Sequence, residues 1–334
     1  MKRIFNIFAL CLFSAWCLLL CGCSVQKEIG NQAVITGLYL DYSLPAQQFE
    51  IAAEIADFKG YEKNSSLSTK WVSAGGQTLS EALFRLQKNV PQTIYFSHAK
   101  ILILGPGFQA VSPQHTISFF LNYNGINSDI LLCTSNANKE ELTSIKKQNF
   151  STEIYDALQL GNRKSSQLYR LFNSQKNFWL LPEISILENE ACKISTSVFI
   201  NGIYAKTLQN RQELIYLLST QGIQNQHYST ENFDLFIKEG KSAVQDDQNR
   251  LLITCRLMAE ISDTHGIIHA EQLTREAENQ LKQKLTAQAV SFYNELKEDG
   301  KLKLFFNETY SQEPEFQFDI TIMKSQFQKE ESDS

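Results

Sequence analysis

The chain has 334 residues, of which 43% are hydrophobic and 20% are charged. This composition is that of an ordinary globular protein and excludes a disordered, collagenous or coiled-coil chain. The 31 basic and 36 acidic residues give a net charge of -5. The chain therefore lacks the basic surplus that is typical of nucleic-acid-binding proteins, and we expect no nucleic-acid partner.

The N-terminus has the pattern of an export signal that ends in a lipidated cysteine. A short basic stretch precedes an apolar run over residues 4–20, as in a signal peptide. Residues 20–23, Leu-Cys-Gly-Cys, resemble the bacterial lipobox. Cys23 fits this pattern better than Cys21, because a small glycine precedes Cys23 and a bulky leucine precedes Cys21. We predict a lipoprotein signal peptide over residues 1–22 and lipidation of Cys23. An uncleaved anchor and plain secretion are the alternatives.

The N-terminal half predicts mixed strands and helices. Alternating β-branched and aromatic residues favour strands over 32–42, 48–57 and 66–73. Thr78 and Glu81 have the spacing of a capping box, and the helix that they begin ends at Pro91. Residues 101–104 are apolar throughout, which predicts a strand buried on both faces. Further expected elements are helices over 115–123, 138–146 and 152–160 and a strand over 129–134.

The C-terminal half predicts a second group of strands and one long helix. Apolar residues recur every three or four positions from Leu273 to Leu296, which predicts an amphipathic helix over 270–298 that packs on a sheet. The other expected elements are a short helix over 211–219 and strands over 197–206, 226–238, 249–261 and 315–323. We therefore expect an α+β fold of several mixed domains, with largely antiparallel sheets and a long amphipathic helix near the C-terminus.

The domain organisation follows from these elements. A polar and basic stretch without a clear period places a domain boundary within residues 163–195. We expect four segments: the signal peptide over 1–22, an N-terminal domain over 23–180, a C-terminal domain over 196–325 and an acidic tail over 326–334.

The motifs of common enzymes are absent or incomplete. The sequence has no GxSxG, P-loop, GxGxxG or HExxH motif. Ser144 and Lys147 match the SxxK pattern of penicillin-binding enzymes, but the SDN and KTG partners are missing, so we interpret the match as chance. His265 and His269 lie four residues apart across a predicted turn, where the two imidazoles do not share a face, so we expect a surface or packing role.

The remaining chemical groups also favour structural roles. We expect His98 to be a satisfied histidine at a strand edge, and Glu50 and Glu54 to share the solvated face of a half-buried strand. Cys133 and Cys255 lie in apolar runs and are expected to be buried without a disulfide. We expect no catalytic residue, no metal and no cofactor, and hence no enzyme.

Four segments in order resemble one protein family. The lipobox cysteine is followed by Glu28-Ile29, by residues 33–41 (Ala-Val-Ile-Thr-Gly-Leu-Tyr-Leu-Asp), by residues 76–83 and by residues 94–105 around His98. The series resembles the Ger(x)C family, the lipoprotein subunit of nutrient germinant receptors in endospore-forming bacteria. The resemblance is strongest over residues 28–105 and becomes loose beyond residue 220. The chain departs from the family at Ser24-Val25, where a Trp-Asp pair is usual.

The resemblance implies a non-catalytic receptor subunit needed for the germination response. It implies two integral membrane subunits as partners, and anchoring by lipid to the outer face of the spore inner membrane. Two other functions stay open: a solute-binding lipoprotein of a transporter and a lipid-tethered cell-wall enzyme. The grouping of adjacent strands at 32–57 disfavours the transporter protein, which needs two lobes with parallel sheets.

Overall fold

A computed structural model describes most of the chain. The described residues are 32–57, 68–123, 125–145, 149–160, 166–173, 178–187, 192–209, 212, 215, 223–229, 233–247, 250–263, 270–302 and 314–323. The predicted signal peptide, Cys23 and the acidic tail lie outside these residues, as does most of the helix predicted over 211–219.

Nine strands form the first sheet. They are β1 (Gln32–Ser43), β2 (Gln48–Asp57), β3 (Ser68–Gly76), β4 (Thr93–Tyr95), β5 (Ile101–Leu104), β6 (Leu131–Ser135), β7 (Phe178–Ile186), β8 (Cys192–Ile200) and β9 (Ile203–Leu208). Their order is β3-β2-β1-β5-β6-β7-β8-β9, and the short β4 pairs with the amino end of β1.

The first sheet is parallel at its centre and antiparallel on both sides. The pairs β1–β5, β5–β6 and β6–β7 are parallel, whereas β1–β2, β2–β3, β7–β8 and β8–β9 are antiparallel. Parallel neighbours need a crossover connection, and helices provide it here. The sequence predicted the antiparallel strands but not this parallel centre.

Helices cover both faces of the parallel centre. They are α1 (Leu79–Lys88), α2 (Gln114–Asn122), α3 (Lys139–Thr143), α4 (Phe150–Leu160) and α5 (Leu168–Asn173), together with a 3-10 turn over Pro106–Gln109. Leu102 and Leu104 pack in the core that contains residues of α1, α2 and α5. Ile101 and Ile103 pack in the opposite core with residues of α3 and α4. The prediction that 101–104 is buried on both faces is confirmed.

The start of α1 shows why the chain turns into a helix there. The Thr78 hydroxyl accepts the Glu81 amide hydrogen at 3.1 Å, as the capping box predicts. The Glu81 carboxylate accepts the amide of Gln77 at 2.8 Å, one residue before the cap.

The second sheet has four strands and is covered by one long helix. β10 (Ile223–Ser229), β11 (Asp234–Asp247) and β12 (Arg250–Asp263) are antiparallel neighbours, and β13 (Glu315–Met323) joins β12 in parallel. The connection between β12 and β13 includes α6 (Ala270–Glu298). The predicted apolar positions of α6 from Ala277 onward are buried in the core with this sheet: Ala277, Leu281, Leu285, Ala289, Phe292 and Leu296.

The two sheets meet at β8 and β9. Val198, Ala205 and Leu208 belong to the core of the second sheet, although their strands pair within the first. The C-terminal domain predicted to begin at residue 196 therefore starts inside β8, and the domain division stays a prediction. Residues 163–195, without a predicted element, contain α5 and β7. β7 contains Pro182. A proline in an apolar run argues against a central strand, which is why the sequence pattern did not indicate β7.

Candidate functional site

Several of the residues singled out in the sequence lie outside the described part of the chain. Cys23, Lys147, His265 and His269 lie outside the described residues. Ser144 follows α3, and its hydroxyl donates to the Glu141 carbonyl at 2.8 Å. Its observed role is to close a helix end.

His98 differs from its expected environment. It is exposed in the turn before β5, and its ring stacks at a tilt on Tyr95 with centroids 5.6 Å apart. We expected a satisfied histidine at a strand edge and did not predict this aromatic contact. Tyr95 belongs to β4, which is only three residues long and too short to show a clear sequence period.

The best-built polar cluster lies at the carboxyl end of the parallel strands, which is the edge where open α/β sheets bind ligands. Asp41 near the end of β1 accepts the amide hydrogens of Tyr42 and Gly107, each at 2.8 Å. The Tyr39 hydroxyl lies 3.2 Å from the other oxygen of Asp41 and 3.2 Å from the carbonyl oxygen of Ala137. The loops after β5 and β6 are thereby joined to β1.

Burial dominates the electrostatics of this cluster. Burial raises the pKa of Asp41, although the two backbone amides and Tyr39 oppose the shift. Burial, followed by the charge of Asp41, raises the pKa of Tyr39 well above its ordinary value. Tyr39 therefore stays protonated and acts as a hydrogen-bond donor.

The loop that follows β5 approaches β1 too closely for a side chain. A Cβ at Gly107 would lie 2.0 Å from the carbonyl oxygen of Tyr42, and one at Gly105 would lie 2.2 Å from the Tyr39 hydroxyl. The loop therefore packs directly against Asp41, and the cluster fixes this loop to β1.

A lysine extends the cluster towards solvent. The Lys139 ammonium lies 2.7 Å from Glu50 and 3.1 Å from Glu140. Burial disfavours its charge, but hydrogen bonds to the two glutamates outweigh burial and raise the pKa of Lys139. This ion pair links α3 to β2.

Glu54 on β2 is the most completely enclosed carboxylate of the first sheet. Its side chain is fully buried, with 0% exposure. One oxygen accepts from the Thr69 hydroxyl at 2.7 Å and the Phe150 amide at 3.0 Å. The other accepts from the Thr36 hydroxyl at 3.0 Å and the Ser151 amide at 2.9 Å.

The expectation of a solvated face at Glu54 is thus wrong. The carboxylate lies at the amino end of α4 and binds two of the amide hydrogens that a helix leaves unpaired there. A signal for this packing is present in the sequence. Ala52, a small residue on the same face of β2, is buried in the core that contains residues of α4.

A third buried carboxylate, Glu183 on β7, anchors a chain of hydroxyl groups. It accepts hydrogen bonds from Ser197 on β8 and Thr207 on β9. The Thr134 hydroxyl lies 3.0 Å from that of Ser197, and Tyr204 and Thr207 lie 2.9 Å apart. These bonds run across four adjacent strands and tie the antiparallel side of the sheet to the parallel centre.

Lys206 on β9 connects the first sheet to α6, the helix that covers the second sheet. Its ammonium pairs with Glu295 and lies 2.9 Å from Asp299, both at the end of α6. Burial disfavours the charged lysine, but the hydrogen bonds with Asp299 and Glu295 prevail and raise its pKa. The Lys206 hydrogen bond lowers the pKa of Asp299.

The described part of the chain contains neither a cluster of metal-ligating residues nor a membrane-spanning helix. No group of three or more His, Cys, Asp or Glu residues there has the arrangement of a metal site. Within the same residues, no helix is both long and apolar enough to cross a membrane. Cys133 and Cys255 are buried, as expected, and burial raises the pKa of Cys255 to about 12.

Comparisons with known proteins identify the N-terminal region. Residues 25–180 match the family model described as the spore germination protein N-terminal domain. The crystal structure of the GerBC protein is similar over 86% of this chain and 96% of that chain, with a TM-score of 0.47 and 12% identity. No curated protein sequence matches the chain. The cluster around Asp41 and the buried Glu54 both lie within the matched residues. Residues 25–180 therefore form a spore germination protein N-terminal domain, which confirms the resemblance to the Ger(x)C family over this part of the chain.

Proposed function

We propose that this protein is the lipid-anchored subunit of a spore nutrient germinant receptor. The observation that carries the proposal is the match of residues 25–180 to the spore germination protein N-terminal domain. In this proposal Cys23 carries the lipid, and two integral membrane subunits are the partners. The protein is located on the outer face of the spore inner membrane.

A non-catalytic role is part of the proposal. The three carboxylates described above are engaged by donors from their own fold: Asp41 by two amides and a tyrosine, Glu54 by two amides and two hydroxyls, and Glu183 by two hydroxyls. A general base needs a lone pair directed at substrate. These contacts suit a protein that works through stable surfaces.

The matched variants Cys23→Ala and Cys21→Ala test the anchor and the receptor assignment together. In spores that produce each variant in place of the normal chain, we expect Cys23→Ala to lose membrane association and the nutrient response. We expect Cys21→Ala to keep both, because only the cysteine at the cleavage site receives lipid. Fractionation of spore membranes, germination rates and subunit levels are the measurements.

Co-purification supplies the second half of this test. Solubilised spore membranes should yield the chain together with two multi-pass membrane proteins. A chain that purifies alone, or with an ATPase and permeases, contradicts the receptor assignment. Retention of lipid by Cys23→Ala and its loss from Cys21→Ala would show that Cys21 is the lipidated residue.

A further inference from the structure

We propose that the protein stands on the phospholipid surface with the amino end of β1 facing the bilayer. The contact is made by Tyr95 and His98, with Lys88 at the same end of the sheet. We call these three residues the amino-end patch. The inference rests on the proposed function, because it takes Cys23 as the lipid anchor, and it adds which surface of the fold meets the membrane.

The length of the tether excludes the opposite orientation. From Cys23 to Gln32, the first residue of β1, the chain has nine residues to span, and full extension gives at most about 32 Å. β1 has 12 residues, so its carboxyl end lies roughly 36 Å from Gln32 at the usual rise of a strand. A bilayer at the carboxyl end would require the tether to run back along all of β1, which exceeds its reach.

Tyr95 of the patch lies beside the start of β1. Gln32, Ala33 and Val34 pair in register with Thr93, Ile94 and Tyr95 of β4. The Gln87 side chain holds the end of α1 against this strand, since it accepts the Ile94 amide at 2.9 Å and donates to the Gln92 carbonyl at 2.9 Å. Lys88 therefore ends α1 at the same end of the molecule as the tether.

The chemistry of the patch suits the headgroup region of a membrane. Tyr95 is 41% exposed and stacks on the exposed ring of His98. Aromatic side chains with a polar tip favour the membrane interface. The Lys88 ammonium lies 4.5 Å from the ring centre of Phe84, which is 60% exposed. Lysine chains of this kind cover apolar surface and direct their charge to water or phosphate.

The carboxyl end of the first sheet has a different surface. Asp41, Glu50 and Glu140 lie there together with Lys139, which pairs with both glutamates, and the Glu140 side chain is 71% exposed. Carboxylates repel the anionic headgroups that attract lysine. Leu44, in the turn between β1 and β2, is 52% exposed and gives this end a large exposed side chain for comparison.

Tryptophan substitutions at the two ends test the orientation. The lipidated full chain is placed in phospholipid vesicles whose acyl chains carry bromine near the headgroups. We expect Tyr95→Trp to lose its added fluorescence in these vesicles, because bromine quenches tryptophan on contact. The matched variant Leu44→Trp should keep its added fluorescence. Trp71 and Trp179 are present in both variants and are subtracted by means of the unsubstituted chain.

Sedimentation with the same vesicles separates this inference from the proposed function. A chain that sediments with vesicles while Leu44→Trp is quenched, or while neither variant is quenched, overturns the orientation and leaves the anchor in place. A chain that does not sediment overturns the anchor, and the orientation with it. Both substituted residues are exposed, and an unchanged melting temperature verifies that each variant is folded.

Discussion

Replacing Glu54 by glutamine tests whether this buried carboxylate holds α4 on the first sheet. The substitution keeps the size of the side chain and changes one oxygen into an NH2 group. In either orientation of the amide, that NH2 faces one hydroxyl and one backbone amide, because each oxygen of Glu54 accepts from one donor of each kind. The hydroxyl of Thr36 or Thr69 can rotate to accept, but the amide of Phe150 or Ser151 cannot.

The expected cost follows from these contacts. One buried amide hydrogen left without an acceptor costs about 1–3 kcal/mol. Loss of the negative charge at the amino end of α4 costs about another 1 kcal/mol. We therefore expect Glu54→Gln to lower the free energy of unfolding by about 3 kcal/mol, which corresponds to a fall in melting temperature of roughly 6–12 °C for a domain of this size.

Denaturant unfolding followed by circular dichroism measures this loss, and Glu50→Gln is the matched control. Glu50 lies on the same face of β2 as Glu54, but its side chain is 25% exposed and pairs with Lys139. A partly exposed ion pair contributes less, about 1 kcal/mol at most. Equal destabilisation by the two variants, with native spectra in both, would refute the assigned role of Glu54.

Two further predictions concern α6. Leu281→Asp should lower the free energy of unfolding by about 4 kcal/mol or more, because it removes a fully buried leucine and buries a carboxylate without a partner. The control Gln283→Asp lies on the exposed side of α6 and should leave the melting temperature nearly unchanged. Equal melting temperatures of the two variants would show that Leu281 is not on the buried side of α6. The lowered pKa of Asp299 stabilises the folded protein at pH values above 3.8, the ordinary pKa of the group, and this stabilisation is lost as the pH falls through the lower pKa of the folded state. Lys206→Gln should therefore lose less stability on acidification than the unchanged chain. Identical free energies of unfolding across the pH range, relative to each protein at neutral pH, would contradict the ion pair.

The sequence predicted the elements whose pattern is local. The spacing of Leu281, Leu285 and Leu296 determines the buried side of α6, and the unbroken apolar run at 101–104 determines burial on both faces. The buried role of Glu54 was missed because alternation along β2 separates two faces but does not say what covers the second one. The cover is α4, almost a hundred residues later in the chain.

The parallel centre was missed for the same reason. Which strands become neighbours depends on the helical crossovers between them, and the strand patterns themselves do not encode it. The polar cluster at the carboxyl end is a consequence of this topology, since it joins β1 to the loops that follow β5 and β6. Residues 33–41 carried the family resemblance, but neither the sequence pattern nor the resemblance indicated that Asp41 binds the amide of Gly107.

The strand β8 contributes side chains to two separate hydrophobic cores. Phe199 packs into one core of the first sheet, while its neighbour Val198 packs into the core beneath α6. Removal of β8 would expose apolar surface in both cores at once. The first sheet and the second sheet with α6 are therefore expected to unfold together, because β8 supplies core residues to both.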